Sequence, residues 1–345
     1  WAGGSQMRRS YRYVPAVIIL ASHGDGPLPV RADAQHAGAG PAATGLSVNI
    51  SSYGGDPRQF GRAGSACARR LGLMSERYLS TLRDALTGTA LRTPTVHWED
   101  PQLRPRRFSQ RLRDRGVGAC EFCYTMVGNA RLTAVRRLLQ QAAAGSVPGD
   151  FVEAGTWRGG TSIFARAVQH ALGQGMDRRT YVCDSFAGLP ESSTEEDRMD
   201  WSSHHYLRVP LEQVRGNFRR FHLLDRHVVF VRGVFRHSLP LLRDALKREG
   251  RQIAVLYGDG DMFESYYDIL YNLYELIAIG GYFLCDDCPV LNPAQQAVKS
   301  FRRNNGITER IMHVDGSDTG IFWQKSHDIQ ANRSRRQYEQ WNARR

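Results

Sequence analysis

The residues best suited to chemistry in this chain are acids that close short apolar runs. Glu153 stands near the end of Phe151-Val-Glu-Ala154, and Asp184 ends Thr180-Tyr-Val-Cys-Asp184. Asp259 follows Gln252-Ile-Ala-Val-Leu-Tyr-Gly258, and the pair Asp286-Asp287 follows Gly280-Gly-Tyr-Phe-Leu-Cys285. A carboxylate at one strand end is often a helix cap or a salt-bridge partner. Acids at four converging strand ends, one of them doubled, repel one another unless they share a task. Two tasks relieve that repulsion. An acid after the second strand accepts hydrogen bonds from ribose hydroxyls, which suits Asp184. Asp259, Asp286 and Asp287 suit a hard divalent cation such as Mg²⁺, which takes oxygen ligands and keeps open positions. Asp261 is a spare ligand, read here as the cap of the helix that begins after Met262.

A glycine turn accompanies the first acid. The stretch Phe151 to Ser162 reads as a strand, a bend through Gly155, Gly159 and Gly160, and a helix capped by Thr161 or Ser162. Ile163, Phe164, Ala167, Val168 and Ala171 form the apolar face of that helix. Such a turn lets the backbone approach a ligand, and the helix N-terminus favours an anionic group. The spacing E-x-G-x-x-x-G-G is not the dinucleotide fingerprint G-x-G-x-x-G, and glycine turns also close strand–helix joints that hold no ligand.

The elements that must position these residues alternate. Helical spacing recurs at Tyr78, Leu79, Leu82, Ala85 and Leu86, and again over Gly128 to Ala144. Beyond the first strand, further strands are expected at 180–184, 227–232 (closed by Gly233), 252–258 and 280–285. Helices are expected at 211–221, 239–248, 263–279 and 293–304, with a closing hairpin over 307–314 and 320–324. Alternating strands and helices predict an α/β fold with a mostly parallel sheet and helices on both faces. The polar run from Glu191 to Tyr206 is long for a compact domain and reads as a lid. Residues 1–74 read as a poorly ordered leader and 327–345 as a frayed basic tail. The domain proper is 75–326, with a helical part over 75–148 and the α/β core over 149–326.

Composition limits the function classes. The chain has 345 residues, 41% of them hydrophobic, and a net charge of +12. The charge is mostly arginine, scattered rather than gathered beside aromatics, which argues against a specific nucleic-acid partner. No apolar run is long enough for a transmembrane segment. Residues 7–22 have a basic head and a short apolar stretch, so they read as a targeting segment or a short buried strand, and the compartment stays open. Cys120-x-x-Cys123 and Cys285-x-x-Cys288 have the pair spacing of a zinc site, but they lie far apart and Cys285 ends an apolar strand, which favours free thiols. His204 and His205 on the lid are candidates to assist proton transfer. A nicotinamide-dependent oxidoreductase would use Asp184, but it leaves Asp286-Asp287 unexplained and its glycine spacing does not match.

Several motifs in order carry a resemblance. They are Thr125-Met-Val-Gly128, Gly149-Asp-Phe-Val-Glu-Ala-Gly-Thr-Trp-Arg-Gly-Gly160, Asp184-Ser-Phe-Ala-Gly-Leu-Pro190, Asp259-Gly-Asp-Met-Phe-Glu-Ser265 and Gly280-Gly-Tyr-Phe-Leu-Cys-Asp-Asp287. Together, over about Ser75 to Lys325, the chain resembles the macrocin O-methyltransferase family of Mg²⁺-dependent sugar methyltransferases. The resemblance implies a class I methyltransferase (Rossmann-like) fold with a seven-stranded sheet, and S-adenosylmethionine as methyl donor. It implies that Glu153, Gly155, Thr156, Trp157, Gly159, Gly160, Thr161 and Ser162 hold the cofactor with Asp184. Ser185, Phe186 and Gly233 would border it. Asp259, Asp286 and Asp287 would chelate Mg²⁺, with Asp259 doubling as general base. The acceptor would be the hydroxyl of a sugar or glycosylated metabolite, and the protein a homo-oligomer. Tyr257-Gly258 ahead of Asp259, Cys288, and the lid Trp201-Ser-Ser-His-His-Tyr206 depart from the family pattern.

Overall fold

The computed structural model describes residues 17–20, 57–96, 104–117, 120 and 122–344, with 17–20 and 57–71 described by backbone alone. The leader outside those ranges lies beyond the described residues. In chain order the elements are β1 (Val17–Leu20), α1 (Pro57–Leu86), β2 (Thr95–Val96), β3 (Pro105–Arg106), α2 (Gln110–Arg115), α3 (Gly128–Ala144), β4 (Asp150–Ala154), α4 (Gly160–Ala171) and β5 (Thr180–Asp184). Then follow α5 (Leu211–Arg220), β6 (Val228–Arg232), α6 (Phe235–Arg248), β7 (Ile253–Gly258), α7 (Phe263–Leu273), β8 (Ile277–Cys285), α8 (Asn292–Asn305), β9 (Met312–His313), β10 (Ile321–Gln324) and α9 (Ala331–Asn342).

One sheet organises the domain, in the order β1-β6-β5-β4-β7-β8-β10-β9. Strands β4 to β8 run parallel, and β10 returns antiparallel along β8, with Ile321 opposite Cys285. All residues of β4 and β7 are buried, as expected of central parallel strands covered on both faces. Helices α1, α3, α4 and α5 cover one face through Leu132, Phe164 and Phe218. Helices α6, α7 and α8 cover the other through Leu242, Leu270 and Phe301. The chain reverses its winding between β4 and β7, and the crevice at such a switch point is where α/β folds bind ligands.

The expected seven strands are present as β6-β5-β4-β7-β8-β10-β9, and Val17–Leu20 adds to their edge by pairing antiparallel with β6. Three expectations change. Helix α1 begins at Pro57, well before Ser75. The helix expected over 263–279 stops at Leu273, and β8 starts at Ile277, since Ile277 and Ala278 are buried against the sheet. The expected frayed tail instead forms α9. Its arginines face water while Tyr338 and Trp341 pack on the aromatic ladder Phe263, Tyr267 and Tyr271 of α7, with Tyr267 and Trp341 centroids 4.6 Å apart. The tail's polar composition hid that narrow aromatic stripe. The thiol expectation also changes: Cys120–Cys123 and Cys285–Cys288 are each joined as disulfides, with Cα atoms 5.1 and 5.7 Å apart.

The turn after β4 is held by its own acid. Glu153 is fully buried, and its Oε2 accepts the hydroxyls of Thr156 at 2.9 Å and of Ser162 on α4. Ser162 therefore ties the strand end to the helix start rather than capping α4. Desolvation, only partly offset by these hydroxyls, pushes the Glu153 carboxyl up to about 8.

Two outcomes follow from this packing. Tyr338 Oη donates to the buried Asp268 Oδ1 at 2.7 Å, and Tyr338→Phe removes that hydrogen bond. Denaturant titration should show a loss of about 1–3 kcal/mol, and an unchanged midpoint would remove α9 from the cooperative unit. For Glu153 the folded value lies above the usual 4.5, so between those limits the folded state holds the extra proton and stability falls as pH rises. Glu153→Gln should remove that slope, up to about 1.4 kcal/mol per pH unit. Stability curves for the two proteins that run parallel from about pH 5 to about pH 8 would count against a protonated Glu153.

Candidate active site

Two clefts open at the C-terminal edge of the sheet and share a wall. The first, of about 930 Å³, runs from Val234 and Phe235 at the start of α6, past Asp184 and Ser185, to Asp259. The second, of about 860 Å³, lies between α3, the lid and the end of β8, and holds Arg131, Trp201, Tyr206, Asp286 and Asp287. Thr156, Trp157, Asp259 and Asp261 line both. A side chain at 155 is impossible here. Gly155 has φ +94°, and a Cβ would lie 1.6 Å from the Asp259 carbonyl oxygen on the neighbouring strand end. That approach brings the turn after β4 against Asp259.

Asp184 acts on the turn directly. Its Oδ2 accepts the backbone N–H of Thr156 at 2.9 Å and of Trp157 at 3.3 Å, while Oδ1 accepts that of Phe186 at 2.8 Å. Desolvation still raises its pKa against these donors. One carboxylate thus fixes the backbone of two loops and faces the first cleft.

Asp259, Asp286 and Asp287 converge, each offering an oxygen within 4.8 Å of the others. Asp286 is held at both oxygens, by Tyr257 Oη on Oδ1 and by Arg131 Nη1 on Oδ2. Asp287 Oδ2 accepts Tyr266 Oη at 2.8 Å and the Asp261 N–H at 2.9 Å. Desolvation, with Asp286 nearby, pushes Asp287 up to about 6. Asp259 is driven well above the usual carboxylate range by desolvation and then by Asp286, Asp287 and Asp261. The donor set is all carboxylate oxygen, the chemistry a hard cation requires, and a cation there would relieve the repulsion that raises these pKa values.

The structure sorts the remaining candidates. Gly155, Thr156, Trp157, Asp184 and Ser185 line the first cleft, while Glu153 and Thr161 line the second. Gly159, Gly160, Ser162, Phe186 and Gly233 line neither. Gly159 begins α4 with φ +86°, and the Gly160 N–H donates to Tyr124 O at 2.8 Å. Phe186 packs on Phe230, and the Gly233 N–H donates to Asp184 O at 2.9 Å. His204 lies tilted against Trp201 and edge-on to Tyr206, and neither it nor His205 lines either cleft. Asp261 does not cap α7. That cap is Asp197 of the lid, which accepts the N–H groups of Phe263 at 2.6 Å and Glu264 at 3.1 Å. Sequence spacing pointed to no role for Asp197, and none for Arg131 or Tyr257 as partners of Asp286, because these contacts join distant parts of the chain.

Comparison with known proteins agrees with this geometry. Residues 75–325 match the macrocin O-methyltransferase (TylF) family. The chain is 41% identical over 255 residues to the 8-demethyl-8-(2,3-dimethoxy-alpha-L-rhamnosyl)-tetracenomycin-C 4'-O-methyltransferase of Streptomyces olivaceus, covering 71% of this chain and 91% of that protein. It is 34% identical over 258 residues to the demethyldecarbamoylnovobiocin O-methyltransferase of Streptomyces niveus, covering 73% and 94%. Among solved structures, the O-methyltransferase NovP superposes with a TM-score of 0.66 at 33% identity, over 73% of this chain and 100% of that one. The clefts, the strand-end acids and these matches converge: the chain belongs to the macrocin O-methyltransferase family and is an S-adenosylmethionine-dependent O-methyltransferase.

Proposed function

We propose that the protein methylates a sugar hydroxyl of a glycosylated small molecule, with Mg²⁺ held by Asp259, Asp286 and Asp287. The observation that carries this reading is the position of Asp259, which lines both clefts and so faces cofactor and acceptor at once. The first cleft carries the acid suited to ribose hydroxyls, Asp184, for a nucleoside cofactor. The relative from Streptomyces olivaceus, named for a rhamnosyl acceptor, supports the sugar. When bound, S-adenosylmethionine supplies an activated methyl group and Mg²⁺ supplies Lewis acidity that lowers the pKa of the acceptor hydroxyl.

The chain's own residues supply orientation and a base. Asp184 takes the ribose hydroxyls and, through Thr156 and Trp157, keeps the turn from shifting. With the cofactor bound, Asp259 would take the proton of the acceptor hydroxyl, whose oxygen would receive the methyl group as its bond to sulfur is lost. Trp157, Trp201 and Leu207 close the second cleft with apolar surface and exclude water. A homo-oligomer formed through α1 belongs to the same reading, supported by exposed Leu73 and Met74 on that helix.

Calorimetric titration with S-adenosylhomocysteine and turnover of a rhamnosylated acceptor test this assignment. Asp184→Ala should abolish binding. Asp259→Asn should keep it while turnover falls by about 10²-fold or more. Chelation of divalent metal should stop turnover and added Mg²⁺ restore it. Full turnover in Asp259→Asn, or indifference to chelator, would sink the mechanism.

A further inference from the structure

The three acids are not equivalent. Asp286 has a protein donor on each carboxylate oxygen, and its N–H donates to Gly258 O at 2.8 Å. Asp287 has donors on Oδ2 only. No side chain among the described residues is recorded donating to the Asp259 carboxylate.

The donors on Asp286 are themselves immobile. Tyr257 is fully buried in the middle of the sheet, on β7, and reaches across to the end of β8. Arg131 is 5% exposed on α3; its Nε donates to Val127 O at 2.6 Å and its Nη2 to Gly116 O at 3.2 Å. Arg131 Nη1 also reaches Thr319 Oγ1, so its guanidinium is fixed from three segments. A planar fork held in that way presents its remaining N–H in one direction.

We infer that Tyr257 and Arg131 are positioning residues that lock Asp286 as the fixed ligand of the cation site. This deepens the proposed function and rests on its metal reading. A carboxylate with a donor on each oxygen has lost its rotation, so it offers a remaining lone pair in one place. Outer partners of this kind orient a ligand, and their removal commonly costs about 10- to 100-fold in metal affinity.

Tyr257→Phe deletes one hydroxyl and keeps the ring, so the core stays filled. Calorimetric titration of Mg²⁺ into the protein saturated with S-adenosylhomocysteine should show binding weakened by about 10-fold, with S-adenosylhomocysteine affinity unchanged. Turnover should recover when Mg²⁺ is raised by the same factor. A role confined to core packing would lower the melting temperature without moving Mg²⁺ affinity, and that result overturns the inference. Arg131→Lys keeps the charge and loses the fork; it should weaken Mg²⁺ in the same direction, and it carries the test if Tyr257→Phe fails to fold. Wild type that binds no Mg²⁺ overturns the metal reading and the inference together. Equal binding by wild type and the variants overturns the inference alone.

Discussion

Repulsion among carboxylates packed at one sheet edge is the constraint on which the site depends. Oxygens of Asp259, Asp286 and Asp287 lie within 4.8 Å of one another. At that separation each like-charged pair costs on the order of 3 kcal/mol at an intermediate dielectric. The fold meets this cost unequally. It places one buried cation, Arg131, against Asp286, and gives Asp286 and Asp287 one tyrosine hydroxyl each. Asp259 receives no comparable hydrogen-bond partner, and its carboxyl is driven well above the ordinary range. With Asp261 beside them, the three converging acids outnumber the one arginine, and a cation would offset part of that excess.

The lid answers to this edge as well. Asp197 caps the first turn of α7, and Ser193 donates to Glu264 on the same helix. Farther along, Trp157 Nε1 on the turn after β4 donates to Tyr206 O at 2.9 Å. The loop is therefore fastened on both sides of the shared wall. Its start borders the first cleft through Pro190 and Glu191, and its end borders the second through Trp201 and Tyr206.

Much of this arrangement is legible in sequence, for a physical reason. Parallel strands buried on both faces are continuous apolar runs, so β4, β5, β6 and β7 announce themselves, and so do the acids that end them. The glycine at 155 is forced by a neighbouring backbone, and a glycine turn leaves a mark in the sequence. What escapes notice is work done at long range. Asp197 lies 66 positions from the N–H it caps, and Arg131 lies 155 positions from Asp286. No local pattern encodes such pairs. Helix α9 escapes for a different reason: two aromatic residues among arginines define its inner face, too few to outweigh a polar composition. Asp261 misleads because it stands where a cap would stand, yet its backbone N–H is spent on Asp287 and the cap comes from the lid.

Chemistry and selectivity therefore sit on different kinds of structure. The acids proposed to activate a hydroxyl stand on strand ends of a sheet with a packed helix layer on each face, where a carboxylate oxygen keeps its place. The aromatic walls of the second cleft, Trp201 and Tyr206, stand on a loop of short turns. A hydroxyl presented to Asp259 needs only the right distance and direction, whatever molecule carries it. Which molecule can present one is decided by the loop. The lid is also where the chain departs from the family pattern as a whole stretch, so this protein's selectivity should differ from that of its relatives there, with the reaction kept the same by the sheet.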